Sequence, residues 1–280
     1  MASWKASLIQ MDSGSDEKEN MRKAEYYIRQ AALEGACLAV LPETVDYIGR
    51  GMKDHAKELP GEWGAFLSEQ AKRYGIYIHG GSVTEKNPGG RPYNTSLFYA
   101  PDGNMIGKYR KLHMFDVEVE EGPSYRESDD ICPGNEIVLC ETELGCFGLS
   151  ICYDLRFPEL YRIQSRQGAQ VLIAAANFTY ATGEKHWEIL LRARAIENTC
   201  YVLACCQCGK KPAFTAYGHS MIVSPWGEVL AGAGTEEGLI TASLNLEEVK
   251  KVRKQIPSLN NIRTDICHLS SDRVKVFAEK

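Results

Sequence analysis

The sequence predicts an α/β fold in a single domain, with sheets and helices stacked in layers. Three observations point there. Short apolar runs alternate with amphipathic stretches along all 280 residues. A helical stretch followed by Glu34-Gly-Ala-Cys-Leu-Ala-Val40 is echoed by one followed by Gln167-Gly-Ala-Gln-Val-Leu-Ile173. In each half a Gly-Ala pair ends a helix and opens a buried strand, as expected of two similar halves packed together. No Pro-, Ser- or Gly-rich linker separates the halves.

The elements follow in order. Trp4–Met11 reads as a strand, and Asp16–Leu33 as a helix with Ser15 or Asp16 as N-cap and Gly35 past its end. Cys37–Leu41 is a buried strand closed by Pro42-Glu43. Gly64–Arg73 is helical and Tyr77–Val83 a strand. Ser96–Ala100 and Met105–Arg110, joined by Pro101-Asp-Gly-Asn104, form a hairpin signal. Ile137–Glu141 and Cys146–Cys152 read as a strand pair, followed by helix Leu160–Gln167, strand Val171–Ala176 and helix Lys185–Asn198. Strands Tyr201–Cys206, His219–Ser224 and Leu239–Leu244 precede a last helix, Leu246–Gln255. The remainder reads as an extended tail, so residues 1–256 form the expected domain and 257–280 an extension able to reach a partner subunit.

Composition excludes several classes. With 44% hydrophobic and 25% charged residues the chain is neither disordered nor fibrous. Its 32 Lys+Arg against 37 Asp+Glu leave a net charge of −5, without the basic footprint of a nucleic-acid binder. The longest apolar runs are six residues, whereas a membrane span needs about 20. Met-Ala-Ser-Trp-Lys at the start lacks a basic flank followed by an apolar stretch, so a cytoplasmic location is expected. Ten cysteines sit mostly in apolar, strand-like segments, where a free thiol behaves as a small hydrophobe. Cys205-Cys206-x-Cys208 lacks the paired spacing of a zinc site, and no metal is expected.

Three residues able to do chemistry end strand-like segments: Glu43 after Ala39-Val-Leu-Pro, Lys111 after Met105-Ile-Gly-Lys-Tyr-Arg, and Cys152 after Gly145-Cys-Phe-Gly-Leu-Ser-Ile. Strand ends in α/β folds converge on one rim. There a carboxylate can take a thiol proton, and an ammonium can stabilise charge on an attacked carbonyl oxygen. Each also has a plainer reading, as a turn residue, a solvated base and one more buried cysteine. Gly148-Leu-Ser-Ile-Cys152 mimics a serine-hydrolase elbow, but cysteine replaces its last glycine. A Cys–His pair using His113, His186 or His219 is the other nucleophile arrangement to weigh. Lys108–Lys111 is too short and too poor in aromatics for a nucleic-acid site.

The strings around these residues are more specific. Leu41-Pro-Glu-Thr44, Lys108-Tyr-Arg-Lys-Leu-His113 and Ser150-Ile-Cys-Tyr-Asp-Leu-Arg-Phe-Pro-Glu159 resemble, in order, the three signatures of the carbon–nitrogen hydrolase (nitrilase) superfamily. His186–Glu197, Tyr217-Gly-His-Ser220 and Pro225-Trp-Gly227 are similar to further family strings. The resemblance implies a four-layer α-β-β-α sandwich and a catalytic set carried onto Glu43, Lys111 and Cys152. It also implies a second glutamate near the lysine. Glu118, Glu120, Glu121 and Glu127 compete, and Glu127 is favoured because Arg126-Glu-Ser128 before Cys132-Pro-Gly134 looks like the amidase segment that supplies it.

On that resemblance, Glu43 takes the Cys152 proton, the thiolate attacks an amide, and Lys111 with a backbone N–H beside Cys152 holds the oxyanion. Ammonia leaves, and water activated by Glu43 hydrolyses the thioester, with no metal or organic cofactor. Cys152-Tyr-Asp-Leu-Arg-Phe157 most resembles the omega-amidase and deaminated-glutathione amidase group, where the substrate is a small carboxylate-bearing amide. Arg156 is expected to hold that carboxylate by a two-pronged hydrogen bond, with Tyr153, Asn177 and His113 flanking the substrate. The alternatives are an N-carbamoyl amino-acid hydrolase and a non-catalytic binding protein on the same fold. The resemblance further implies a homodimer or larger assembly.

Overall fold

The structure is a computed structural model that describes residues 3–118 and 125–279. Strand β1 (Trp4–Gln10) leads into helix α1 (Glu17–Leu33), whose first turn is capped by Asp16 accepting from the Glu19 N–H at 3.0 Å. Gly35, at φ 80°, turns the chain back into β2 (Leu38–Val40). Helix α2 (Gly61–Tyr74) and strands β3 (Tyr77–Glu85), β4 (Tyr93–Tyr99) and β5 (Met105–Arg110) complete the first half. A short ribbon, β6 (Asp116–Val117) with β7 (Tyr125–Arg126), leads to β8 (Ile137–Thr142) and β9 (Gly145–Ile151). Then come α3 (Pro158–Arg166), β10 (Val171–Ala176), α4 (Tyr180–Asn198) and β11 (Tyr201–Cys206). β12 (Met221–Val223), β13 (Val229–Gly232), β14 (Gly238–Leu244), α5 (Leu246–Gln255) and β15 (Val274–Ala278) end the chain.

Two sheets result, in the orders β14-β1-β2-β3-β4-β5 and β13-β12-β11-β10-β9-β8-β15. β1, β2 and β3 run parallel, as do β9, β10 and β11, each linked by covering helices. α1 and α2 cover the first sheet, α3 and α4 the second, and the sheets meet through β5 on β8 and β1 on β11. This is the expected four-layer α-β-β-α sandwich. Leu8, Phe98, Tyr109, Leu139, Phe147 and Leu149 fill the space between the sheets. Ile28, Leu41, Trp63, Leu67 and Ile78 fill the layer under α1 and α2. Both bands bury apolar side chains almost completely, which is where the fold draws its stability.

Four local expectations are revised. α4 begins at Tyr180, five positions before the predicted Lys185, although Gly183 lies within that turn. A Cβ at 183 would run into the Tyr217 ring, so this glycine serves a close approach and does not break the helix. The strand expected to include Cys152 stops at Ile151, and Cys152 opens a single 3-10 turn. The turn at Pro225-Trp-Gly227 joins a β-hairpin whose second strand, β13, is new. The tail also contains a strand: β15 pairs in parallel with β8 at the edge of the second sheet. Among the described residues no helix is long and apolar enough to cross a membrane.

Candidate active site

The C-terminal ends of the parallel strands open on one cavity of about 630 Å³. Its wall includes Glu43 after β2, Lys111 after β5, Cys152 after β9 and Asn177 after β10. Gly81 lets β3 pass close under the Glu43 segment. Its φ is 62°, and a Cβ there would collide with the Pro42 carbonyl.

Lys111 is the centre of charge. Its side chain is 2% exposed, and Nζ donates to Glu43 Oε1 at 3.1 Å and to both Glu127 oxygens at 2.9 and 2.8 Å. Burial works against the ammonium, but the Glu127 and Glu43 carboxylates outweigh it and hold the lysine pKa well above its ordinary value. Burial pushes the Glu127 carboxyl up; Lys111 and the Phe115 N–H, donating at 2.7 Å, oppose that rise. Asn94 Nδ2 donates to Glu43 Oε1 at 2.8 Å, so the same oxygen takes the lysine and the amide.

Cys152 has φ 49°, a left-handed conformation uncommon for any residue with a Cβ. Burial raises its thiol pKa well above normal, and the Glu43 charge raises it further. The resting residue is therefore a thiol beside a carboxylate, and ionising it requires a partner that accepts its proton. The turn is held by Asp154, a fully buried carboxylate that accepts from Ile151 N at 2.8 Å, Tyr109 Oη at 2.6 Å and His113 N at 3.0 Å. Asp154 thus ties the segment carrying Cys152 to the one carrying Lys111.

The structure brings Glu43, Lys111, Glu127, Cys152, Tyr153 and Asn177 onto one wall. It does not bring His113 there: the ring stacks on Phe157 at 3.7 Å, and Nδ1 pairs with Asp154 Oδ1 at 2.7 Å. Arg156 stands one layer back, its guanidinium 5.4 Å from the Phe178 ring and 5.7 Å from the Tyr153 ring, both rings on the wall. Its polar contact is with His186 Nδ1 at 3.4 Å, and among the described residues no carboxylate is ion-paired to it, neither Asp154 nor Glu159. Glu118 is exposed and off the wall, while Glu120 and Glu121 lie outside the described residues. Sequence reasoning missed Asn94, Asp154 and the apolar walls Phe115, Tyr125 and Phe214. All ten cysteines are free thiols.

The profile of carbon–nitrogen hydrolases matches residues 5–254. The chain belongs to the carbon–nitrogen hydrolase family. Omega-amidase NIT2 of Bos taurus is 39% identical over 276 residues, 98% of this chain and 100% of that protein. The Homo sapiens omega-amidase NIT2 is 39% identical over 269 residues, 95% of this chain and 97% of that one. The crystal structure of the C. elegans NitFhit protein superposes with a TM-score of 0.90 at 37% identity, covering 96% of this chain and 68% of that chain. Saccharomyces cerevisiae Nit3, a member of branch 10 of the nitrilase superfamily, gives 0.82 at 33% identity, covering 91% and 94%. This carbon–nitrogen hydrolase is an amidase that cleaves non-peptide carbon–nitrogen bonds through the thioester general to its family.

Proposed function

We propose that the enzyme hydrolyses the terminal amide of a small carboxylate-bearing compound to the acid and ammonia. The observation that carries this reading is the Lys111 ammonium shared by Glu43 and Glu127 beside a protonated Cys152 thiol. Glu43 takes the thiol proton as sulfur bonds to the amide carbon. Lys111 and the Tyr153 N–H hold the oxyanion. Collapse expels the nitrogen, which leaves as ammonia with the proton returned by Glu43, and a thioester remains. Water, deprotonated by Glu43, adds to the thioester, and the carboxylic acid departs as the thiol is restored. Glu127 keeps Lys111 placed and charged. Asn177 Oδ1, buried and without a donor among the described residues, accepts from the amide N–H₂.

Arg156, one layer behind the Tyr153 and Phe178 rings, takes the distal carboxylate where it passes between them, and having no acidic partner among the described residues supports this. His113 acts through Asp154 and not on the substrate. The enzyme works in the cytoplasm as a homodimer. An apolar strip supports the dimer: Ile189 and Ile196 on α4 are 70% and 52% exposed, and Trp226 beside them is 49% exposed.

The test is an ammonia-release assay over monoamides of dicarboxylic acids, simple aliphatic amides and N-carbamoyl amino acids. Preference for the monoamides supports the reading, and preference for carbamoyl compounds, with release of carbon dioxide, replaces it. Arg156→Lys is expected to raise KM for the monoamide and leave a neutral amide unchanged. Equal losses on both would return Arg156 to the scaffold.

A further inference from the structure

The peptide that follows the proposed base is strained. Thr44 has φ 50°, a conformation that a β-branched residue keeps only where its surroundings over-determine it. The Glu43 carbonyl accepts from Gln207 Nε2 at 3.0 Å and from Thr44 Oγ1 at 2.8 Å, while Thr44 N donates to Ser82 Oγ at 3.1 Å.

Gln207 is fully buried just past the end of β11, and both ends of its amide are engaged. Oε1 accepts from Ser13 N at 3.0 Å and Lys211 Nζ at 3.4 Å, and Nε2 also donates to Ser13 Oγ at 2.9 Å. An ammonium on one side and carbonyl Glu43 on the other leave the amide one orientation. Lys211 is itself fixed by Asp12 Oδ1 at 2.7 Å and the Ser13 carbonyl at 3.0 Å. The Gln207 backbone N–H donates to the Ala176 carbonyl at 2.9 Å. The residue is therefore anchored in the sheet that carries the nucleophile and reaches across to the sheet that carries the base.

We propose that Gln207 is a positioning residue for Glu43, holding the Glu43–Thr44 peptide in its left-handed turn so that the carboxylate faces Cys152 and Lys111. This rests on reading Glu43 as the base. The proton must pass from sulfur to carboxylate and then to the leaving nitrogen, and small misplacements of such a group are expensive in rate.

The test uses the full chain with succinamate as substrate and iodoacetamide as the thiol probe. Gln207→Glu keeps an acceptor for Ser13 and Lys211 but turns an oxygen toward the Glu43 carbonyl. Gln207→Met keeps the size and makes no hydrogen bond. Both are expected to lower kcat by about tenfold or more, with KM within about twofold of the wild type. Alkylation of Cys152, followed by peptide mass mapping, should be slow in both near neutral pH, and the deficit should shrink as pH rises and hydroxide takes the thiol proton without Glu43.

Wild-type kcat in either folded variant would overturn the proposal. So would an alkylation deficit that is the same at every pH, because that reports a distorted pocket and not a misplaced base. If Gln207→Met does not fold, Gln207→Glu, which retains the Lys211 pairing, decides the matter. Glu43→Gln is the separate control: wild-type turnover there removes the base assignment itself, whatever the Gln207 variants show.

Discussion

Cys152 and Lys111 differ in what their removal leaves behind. Cys152→Ser swaps one small buried group for another at the same left-handed turn, still held through Ile151 by Asp154. Turnover should vanish while the melting temperature barely moves, since the hydroxyl is a far weaker nucleophile; activity above a few per cent would refute the nucleophile assignment. Lys111→Met leaves two buried carboxylates facing each other without their cation. It should lower kcat by roughly 10²–10³-fold and destabilise the fold by about 3–5 kcal/mol near neutral pH. Burial already raises the Glu127 pKa, and losing the lysine raises it further. As pH falls, one carboxyl takes up a proton and the stability gap to wild type narrows. Lys111→Met/Glu127→Gln should recover stability without activity, and a double variant as unstable as the single one would contradict this account. Glu43, Lys111 and Cys152 were readable because each follows a strand-like run inside a distinctive string. Asn94 and Gln207 were not: their hydrogen bonds to Glu43 span 51 and 164 positions of sequence, and nothing local to either residue records such a partner.

Strands β3, β4 and β5 are joined by one side chain. Glu85 accepts from Lys108 at 2.5 Å, from Arg110 at 2.8 Å through two nitrogens, and from Thr95 at 2.7 Å. Burial alone would raise its pKa, but these donors win and hold it down at about 2. A depressed folded-state pKa contributes stability above the ordinary glutamate range, and that contribution fades as pH falls toward 2. Glu85→Gln should therefore melt lower than wild type at neutral pH and lose less on acidification, as scanning calorimetry from about pH 7 to pH 3 would show. Parallel acid limbs would exclude Glu85 as a source of the pH dependence. Gly81→Ala tests the adjoining contact: the strained φ and the Pro42 carbonyl should shift the Glu43 segment and reduce both stability and kcat. The order of elements was readable from the alternation of apolar runs. The start of α4 was not, because Gly183 looks like a helix breaker until Tyr217 is seen lying against it.

The catalytic set is divided between the two sheets, with Glu43 and Lys111 on one and Cys152 and Asn177 on the other. The sandwich was readable from the repeated Gly-Ala device, which does mark the start of β2 and of β10. The closure of each sheet was not, because β14 and β15 join partners more than a hundred residues away. At this scale the proposed dimer is open to test: Ile189→Glu with Ile196→Glu should halve the mass seen by light scattering, and an unchanged mass would place the interface elsewhere. The return of β14 to β1 has a consequence in time. On the ribosome Cys152 emerges just past the middle of the 280 residues, yet the first sheet lacks its outer strand until Gly238–Leu244 follows. A growing chain thus carries its thiol through the next 86 residues before that edge begins to form, and the first sheet that holds the base is whole only once β14 has been made.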